Sequence, residues 1–210
     1  MKKKIINNLI ELIKKYNNFD EIKLQEIKYG LETIYLTIIK TIVFIIISIF
    51  LSTLKELLLF MLFYGILRLT GFGIHAKKSI HCWISSFVTF ILIPILIKYV
   101  QLNTNVIYTL LLISVLLLTI YAPADTPKRP LINKKKRTIY KIITIIISII
   151  YSTLIITKTT NIIINNSMLY SLLLEGFLVT PLSYKLFGVS YKNYKNYKRK
   201  EKKKWNYSLH

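Results

Sequence analysis

The sequence predicts an all-α, polytopic membrane protein with about six transmembrane helices, preceded by amphipathic interfacial helices. The first observation behind this is composition: 53% of the 210 residues are hydrophobic while the net charge is +21, a pairing few soluble domains of this size tolerate. The second is segregation. Lys and Arg gather at the two ends and in one internal loop, and runs of Ile, Leu, Phe and Tyr fill the intervals, as a hydrocarbon layer requires. The third is run length, the first apolar run giving roughly the twenty residues that cross a core of about 30 Å.

Residues 1–33 hold seven Lys against five Asp and Glu. Ile5, Ile6, Leu9, Leu12, Ile13 and Tyr16 recur at the helical period, which fits a helix lying in the interface and too polar to cross. A second short interfacial helix is expected from near Asn18, with Phe19, Ile22, Ile27 and Leu31 toward the membrane and Asp20, Glu21 and Glu26 toward water. The first span follows over 34–54, with Lys40 placed to snorkel, and a tight turn at 52–56 reverses the chain. The second span, 57–70, is short, so tilt or local thinning is expected to draw segment 71–82 into the interface. The third, 82–99, carries Pro94, which should kink it. A polar hairpin at 101–105 leads to the fourth span, 106–122. The fifth covers 139–157, and a polar turn near 159–161 separates it from the sixth, 162–187. Asn165, Asn166 and Glu175 in this last span are expected to face other helices or a cavity more than lipid.

Loop 123–138 carries Lys128, Arg129, Lys134, Lys135, Lys136 and Arg137 against Asp125 alone, and the chain from Lys185 onward adds nine Lys and Arg. The positive-inside rule places both in the cytosol. Six crossings then put the N- and C-termini, the basic loop and segment 71–82 on that same side. The expected organisation is an interfacial segment 1–33, a six-span domain 34–187 containing loops 71–82 and 123–138, and a basic cytosolic tail 188–210. Tyr191, Tyr194, Tyr197 and Trp205 interleave the tail's charges, but beside six spans the tail is read as a surface for anionic lipid. Membrane lipid is thus an expected partner and nucleic acid is not. One cysteine allows no intramolecular disulfide. Met1-Lys2-Lys3-Lys4 runs into amphipathic sequence without the pattern of a cleavable signal. No metal site or cofactor is expected.

His75 and Cys82 stand seven residues apart where a polar loop enters an apolar span. On one continuous helix they would share a face but lie about 10.5 Å apart along the axis, too far for a thiol to pass its proton to an imidazole. Gly71 and Gly73 supply the backbone freedom for the loop to fold back over the start of the third span. With Ser79 as N-cap, Cys82 becomes the third helical residue. There the helix macrodipole and the nearby Lys77 and Lys78 stabilise a thiolate, and the unpaired N–H groups of the first turn offer an oxyanion site. His81 competes as the base, but adjacent helical residues point about 100° apart, which favours His75. The bland alternative is a small buried thiol and a solvated imidazole, with Arg68 a snorkelling residue that marks the interface.

The spaced block Arg68, Gly73, His75, Ala76, Cys82 and Ser86, and the later run Ala122-Pro123-Ala124-Asp125-Thr126-Pro127-Lys128-Arg129-Pro130-Leu131, resemble the accessory gene regulator protein B family of Gram-positive quorum-sensing systems. The resemblance covers nearly the whole chain. It implies a membrane-embedded cysteine endopeptidase of the bacterial cell membrane with His75 and Cys82 as its catalytic pair. It also implies a substrate, a small amphipathic pro-peptide whose acidic tail is removed and whose remainder closes into a thiolactone or lactone ring. Lys77-Lys78 makes the loop more basic than the family pattern, and Pro127 stiffens the second loop.

Three further roles stay open. Lys134, Lys135, Lys136 and Arg137 either hold the acidic tail of the pro-peptide or only fix topology. Asp125 either orients a catalytic group, as the third member of a triad does, or caps a turn. The competing function is a small transporter or exporter whose path is lined by Asn165, Asn166 and Glu175, or else a docking protein. A homodimer is kept open as the assembly.

Overall fold

The computed structural model describes residues 2–16, 19–74, 79–126, 130–195 and 197. Its regular secondary structure is helical among the described residues, and an isolated bridge joins Phe72 to Ala124. The chain divides into two compact units, Met1–Ser52 and Thr53–His210.

The first unit holds α1 (Lys2–Tyr16) and α2 (Glu21–Phe50). Here the structure departs from the expected division, because the second interfacial helix and the first span are one continuous helix of 30 residues. Asp20 caps it, its side chain accepting from the Lys23 N–H at 3.0 Å, and no proline follows to stop it. Gly30 alone costs a helix only about 1 kcal/mol relative to Ala. Ile34, Ile38, Ile42, Ile46 and Ile49 line one exposed side, the surface expected of a helix solvated by lipid. The helix ends at a turn where Ser52, the first residue of the predicted 52–56, takes a φ of 54°, and the next helix already begins at Leu54.

The second unit comprises α3 (Leu54–Gly71), α4 (Ser79–Phe87), a π-helical turn (Val88–Leu92), α5 (Ile93–Tyr99), α6 (Thr104–Tyr121), α7 (Lys134–Thr157), α8 (Ile162–Leu178) and α9 (Pro181–Leu186). Before Pro94, where the sequence predicts a kink, the helix takes a π-turn. The proline has no N–H to offer the Phe90 carbonyl and its ring crowds that oxygen, and the widened turn over Val88–Leu92 accommodates both. Helix α7 starts five residues before the predicted span, so Lys134 to Arg137 form its first turn and are not loop. Asn133 provides the reason, accepting from the Lys136 N–H at 3.3 Å as N-cap. The predicted sixth span breaks at Val179. Pro181 disfavours helix at the residue before it, and Thr180 caps a separate short α9, accepting from the Ser183 N–H.

Helix α8 is central, packing on α3, α5, α6, α7 and α9. It buries Met168, Leu169 and Leu172 together with Asn166, Ser167, Ser171, Glu175 and Gly176. A Cβ on Gly176 would sit 3.4 Å from the Ser114 carbonyl oxygen, in ordinary contact, so a methyl group fits between α6 and α8 and a larger side chain does not. Side-chain bonds tie the other contacts. Thr144 donates to Thr70 at 2.9 Å between α7 and α3, and the Asn166 amide donates to the Ile97 carbonyl at 3.2 Å between α8 and α5. Tyr151 and Phe63 pack edge to face with centroids 5.4 Å apart.

Among the described residues three helices are long and apolar enough to cross a membrane: Lys23–Phe50, Thr104–Tyr121 and Lys134–Thr157. Trp83–Tyr99 and Ile162–Leu178 are apolar but shorter, and α3 carries Lys55, Glu56 and Arg68. The α6–α8 contact gives a test. Gly176→Leu should destabilise the protein by about 1–3 kcal/mol through overpacking. Gly65→Ala, with nothing within 4 Å of the added carbon, should stabilise it by about 0.5–1 kcal/mol. Thermal unfolding in detergent measures both.

Candidate active site

Helix α3 ends where the candidate site begins. Arg68 Nη1 lies 3.3 Å from Glu175 Oε2 on α8, an ion pair whose carboxylate side is fully buried. Its Nη2 donates to the Ile74 carbonyl, the last described residue before His75. Between them Phe72 adopts a φ of 64°, a strained value for a residue with a Cβ, and its ring packs edge-on to Tyr140 of α7. Gly73 has a φ of 78°, so the freedom expected of it is used here.

The segment Gly71–Ile74 is stitched to the proline-rich loop. Gly73 N–H donates to the Ala124 carbonyl at 2.8 Å, and Ala124 N–H donates to the Gly71 carbonyl at 2.9 Å. The next residue, Asp125, is 3% exposed. Its carboxylate accepts from the backbone N–H groups of Asn193 at 2.9 Å, Tyr194 at 2.7 Å and Leu131 at 3.3 Å. Its own carbonyl accepts from the Asn193 amide at 3.2 Å and the Tyr184 hydroxyl at 2.8 Å. The proline-rich loop and the start of the tail therefore meet at one aspartate, with Gly71–Ile74 joined to it through the neighbouring Ala124.

Against this junction opens a cavity of about 380 Å³. Cations line it from two directions: Lys134, Arg137 and Lys141 from α7, and Lys192 from the tail. The three on α7 recur at the spacing that stacks residues on one helical face. Arg137 lies over the Tyr194 ring, 3.7 Å from its centroid, and its buried Nη1 has no hydrogen-bond partner. Burial, then Tyr121, Tyr194 and Asp125, push the Tyr191 phenol up to about 12, so it lines the cavity as a neutral donor. Asp125 also lines the cavity, but its oxygens are engaged by backbone N–H groups. The net field is positive, suited to an anion.

The sequence-predicted residues divide accordingly. Arg68 and Gly73 come together, with Asp125 joined to them through Ala124, and Lys134 and Arg137 share the cavity. Lys135 and Lys136 are exposed and do not line it. Ser86 lies in α4, half-buried, one turn beyond Cys82. His75 lies outside the described residues, and of Cys82 only the backbone position is described. Because α4 begins at Ser79 itself, Cys82 is its fourth residue in place of the expected third, still within the first turn. Lys141 and Lys192 have no role in the sequence-based expectation, and Glu175 enters it only as part of an exporter's path. The seven-residue step from Lys134 to Lys141 carried the signal for the first, and a lone acid in an apolar span carried it for Glu175. Among the described residues no group of three or more His, Cys, Asp or Glu is arranged to hold a metal ion.

Helices with exposed apolar faces around a largely apolar core, crossed by a few bonded polar groups, mark the described residues as those of a helical membrane protein. The Accessory gene regulator B family model matches residues 3–179, and the chain belongs to that family. A Clostridium acetobutylicum protein named AgrB-like is 31% identical over 198 residues, covering 91% of this chain and 93% of its own. The accessory gene regulator protein B of Staphylococcus aureus is 31% identical over 180 residues, covering 85% and 94%. That of Staphylococcus saprophyticus is 31% identical over 132 residues, covering 63% and 70%. No solved structure matches.

Removal of the Asp125 carboxylate would orphan three backbone donors. Asp125→Ala should therefore cost about 1–3 kcal/mol of stability and accelerate tryptic cleavage at Lys192 or Lys195, which mass spectrometry of a digestion time course reads directly.

Proposed function

We propose that this protein is a membrane-embedded cysteine endopeptidase that removes the C-terminal tail of a small quorum-sensing pro-peptide and promotes cyclisation of the remainder. Membership of the Accessory gene regulator B family, over a match that includes the chain's sole cysteine, carries this reading. Family membership supports a role in accessory gene regulator peptide processing, and the chemistry follows from the residues. Cys82, in the first turn of α4, attacks the scissile carbonyl as a thiolate. His75 takes the thiol proton and returns it to the departing amine, so the tail leaves and an acyl-enzyme thioester remains. A thiol or hydroxyl of the bound peptide then attacks that thioester, closing a thiolactone or lactone ring and restoring the Cys82 thiol. Water has to be excluded, since hydrolysis would give a linear acid.

We assign the cationic cavity to the acidic tail. Lys134, Arg137, Lys141 and Lys192 surround it, and the Tyr191 phenol adds a neutral donor. Asp125 is assigned a structural role, in keeping with the three backbone donors on its carboxylate. In the membrane arrangement proposed here, α1 lies in the interface, six helical passages cross, and both termini and loops 71–82 and 123–138 face the cytosol. An exporter without proteolytic activity has less support. The Asn166 amide is spent on the Ile97 carbonyl, the Asn165 amide on the Thr160 carbonyl and one oxygen of Glu175 on Arg68, which engages these groups with neighbours.

Cys82→Ala should abolish cleavage of the pro-peptide in proteoliposomes, and a thiol-directed alkylating reagent should do the same to the parent. Cleavage by Cys82→Ala at the parent rate overturns the cysteine mechanism, while transport without cleavage in Cys82→Ser would favour the exporter.

Charge reversal separates the cavity from topology. Lys134→Glu with Lys141→Glu should raise KM about tenfold, an effect that weakens with salt. Lys135→Glu with Lys136→Glu changes the same net charge away from the cavity and should leave KM nearly unchanged. Equal effects of the two pairs would reduce the role of these residues to topology.

A further inference from the structure

We infer that Glu175 is a positioning residue, which through Arg68 holds the backbone of Gly71–Ile74 that leads directly into His75. This inference deepens the peptidase assignment and rests on it. Glu175 is fully buried in the middle of the second unit, 107 residues from its partner. An isolated carboxylate there would be strongly disfavoured, and so would an isolated guanidinium. Each is the condition for the other's presence. With Nη1 on Glu175, the planar fork of Arg68 presents Nη2 to the Ile74 carbonyl. One side chain thus bridges α8 and the loop.

The glycines of this segment fit around the pair. A Cβ on Gly71 would stand 2.5 Å from Glu175 Oε1, and a Cβ on Gly73 would collide with the Arg68 guanidinium and lie 3.2 Å from the Leu178 carbonyl. The Gly-Phe-Gly sequence therefore clears space for an ion pair as well as supplying a turn. Oε1 itself is buried without a hydrogen-bond partner, so the carboxylate is held by one oxygen only. Loss of the Glu175 charge would leave the guanidinium uncompensated. Arg68 would then swing toward the polar interface, as long cationic side chains do, and release Ile74.

The test uses Glu175→Gln, which keeps shape and removes charge, together with Arg68→Gln and the double variant in proteoliposomes. Glu175→Gln should lower kcat about tenfold or more with KM nearly unchanged, because the pro-peptide still binds but the loop is no longer held. Since Glu175 acts through Arg68, the double variant should be no slower than the slower single variant. Hydrogen exchange of peptides covering Gly71–Ile74 should rise about fivefold or more in both single variants, with the exchange of α6 unchanged. A kcat within twofold of the parent, multiplicative losses in the double variant, or unchanged exchange at Gly71–Ile74 each overturns the inference. The exchange readout needs no catalysis. If Cys82→Ala still cleaves, the peptidase assignment fails by itself, and the hold of Glu175 on the loop is decided by exchange alone.

Discussion

A full charge in the apolar interior is tolerated only when an opposite charge is delivered to the same point, and Arg68 with Glu175 meets that condition between α3 and α8. The constraint propagates. The two helices must dock in one register for either group to be inside, and that register brings the end of α3 against the end of α8. The glycines at 71 and 73 are needed because a side chain at either would occupy the space of the pair. The buried serines of α7 and α8 follow a gentler rule: Ser148, Ser167 and Ser171 return their hydroxyls to carbonyls one turn back in their own helices, so their polarity is satisfied locally.

Asp125 solves a different problem. Proline-rich loops have few N–H groups with which to bond themselves down, and the tail beyond α9 is polar and carries excess positive charge. One carboxylate gathers donors from both and, with the Tyr184 hydroxyl on its carbonyl, converts two poorly self-structured segments into a wall of the cationic cavity. The cavity owes its shape to that junction and its sign to α7, whose first turn places cations at the positive end of the helix dipole. That placement is locally unfavourable, and an anion in the cavity would relieve it.

Much of this was legible in the residues. Apolar runs at the helical period located most of the helices, and segregation of charge identified a membrane protein. Boundaries failed where a local cap outweighed the average polarity of a window: Asp20 lets α2 start inside a polar stretch, Asn133 does the same for α7, and Pro181 cuts the last helix that hydropathy alone would continue. The candidate site was half legible. Arg68, Gly73 and Asp125 stood out by their spacing and Glu175 as an acid in an apolar span, whereas the partner of Glu175 and the place of Lys192 did not, because each contact joins distant parts of the chain and sequence periodicity speaks only of near neighbours. The pairing of Arg68 with Glu175 was the one long-range contact that charge balance could have suggested, since an apolar interior leaves a buried acid few partners.

The π-turn at Val88–Leu92 has a bearing on evolution and on engineering alike. A π-turn inserts in effect one extra residue, which rotates everything upstream by about 100° relative to a regular helix. The half carrying Cys82 and Ser86 is thereby set off in azimuth from the half that packs through Ile97 and Pro94. The rod behaves as two cylinders joined by a splined coupling: the lower one is keyed to its neighbours, and the upper one is indexed by a single notch. Regularising that notch would leave every residue of α4 in place along the sequence and aim all of them in a different direction.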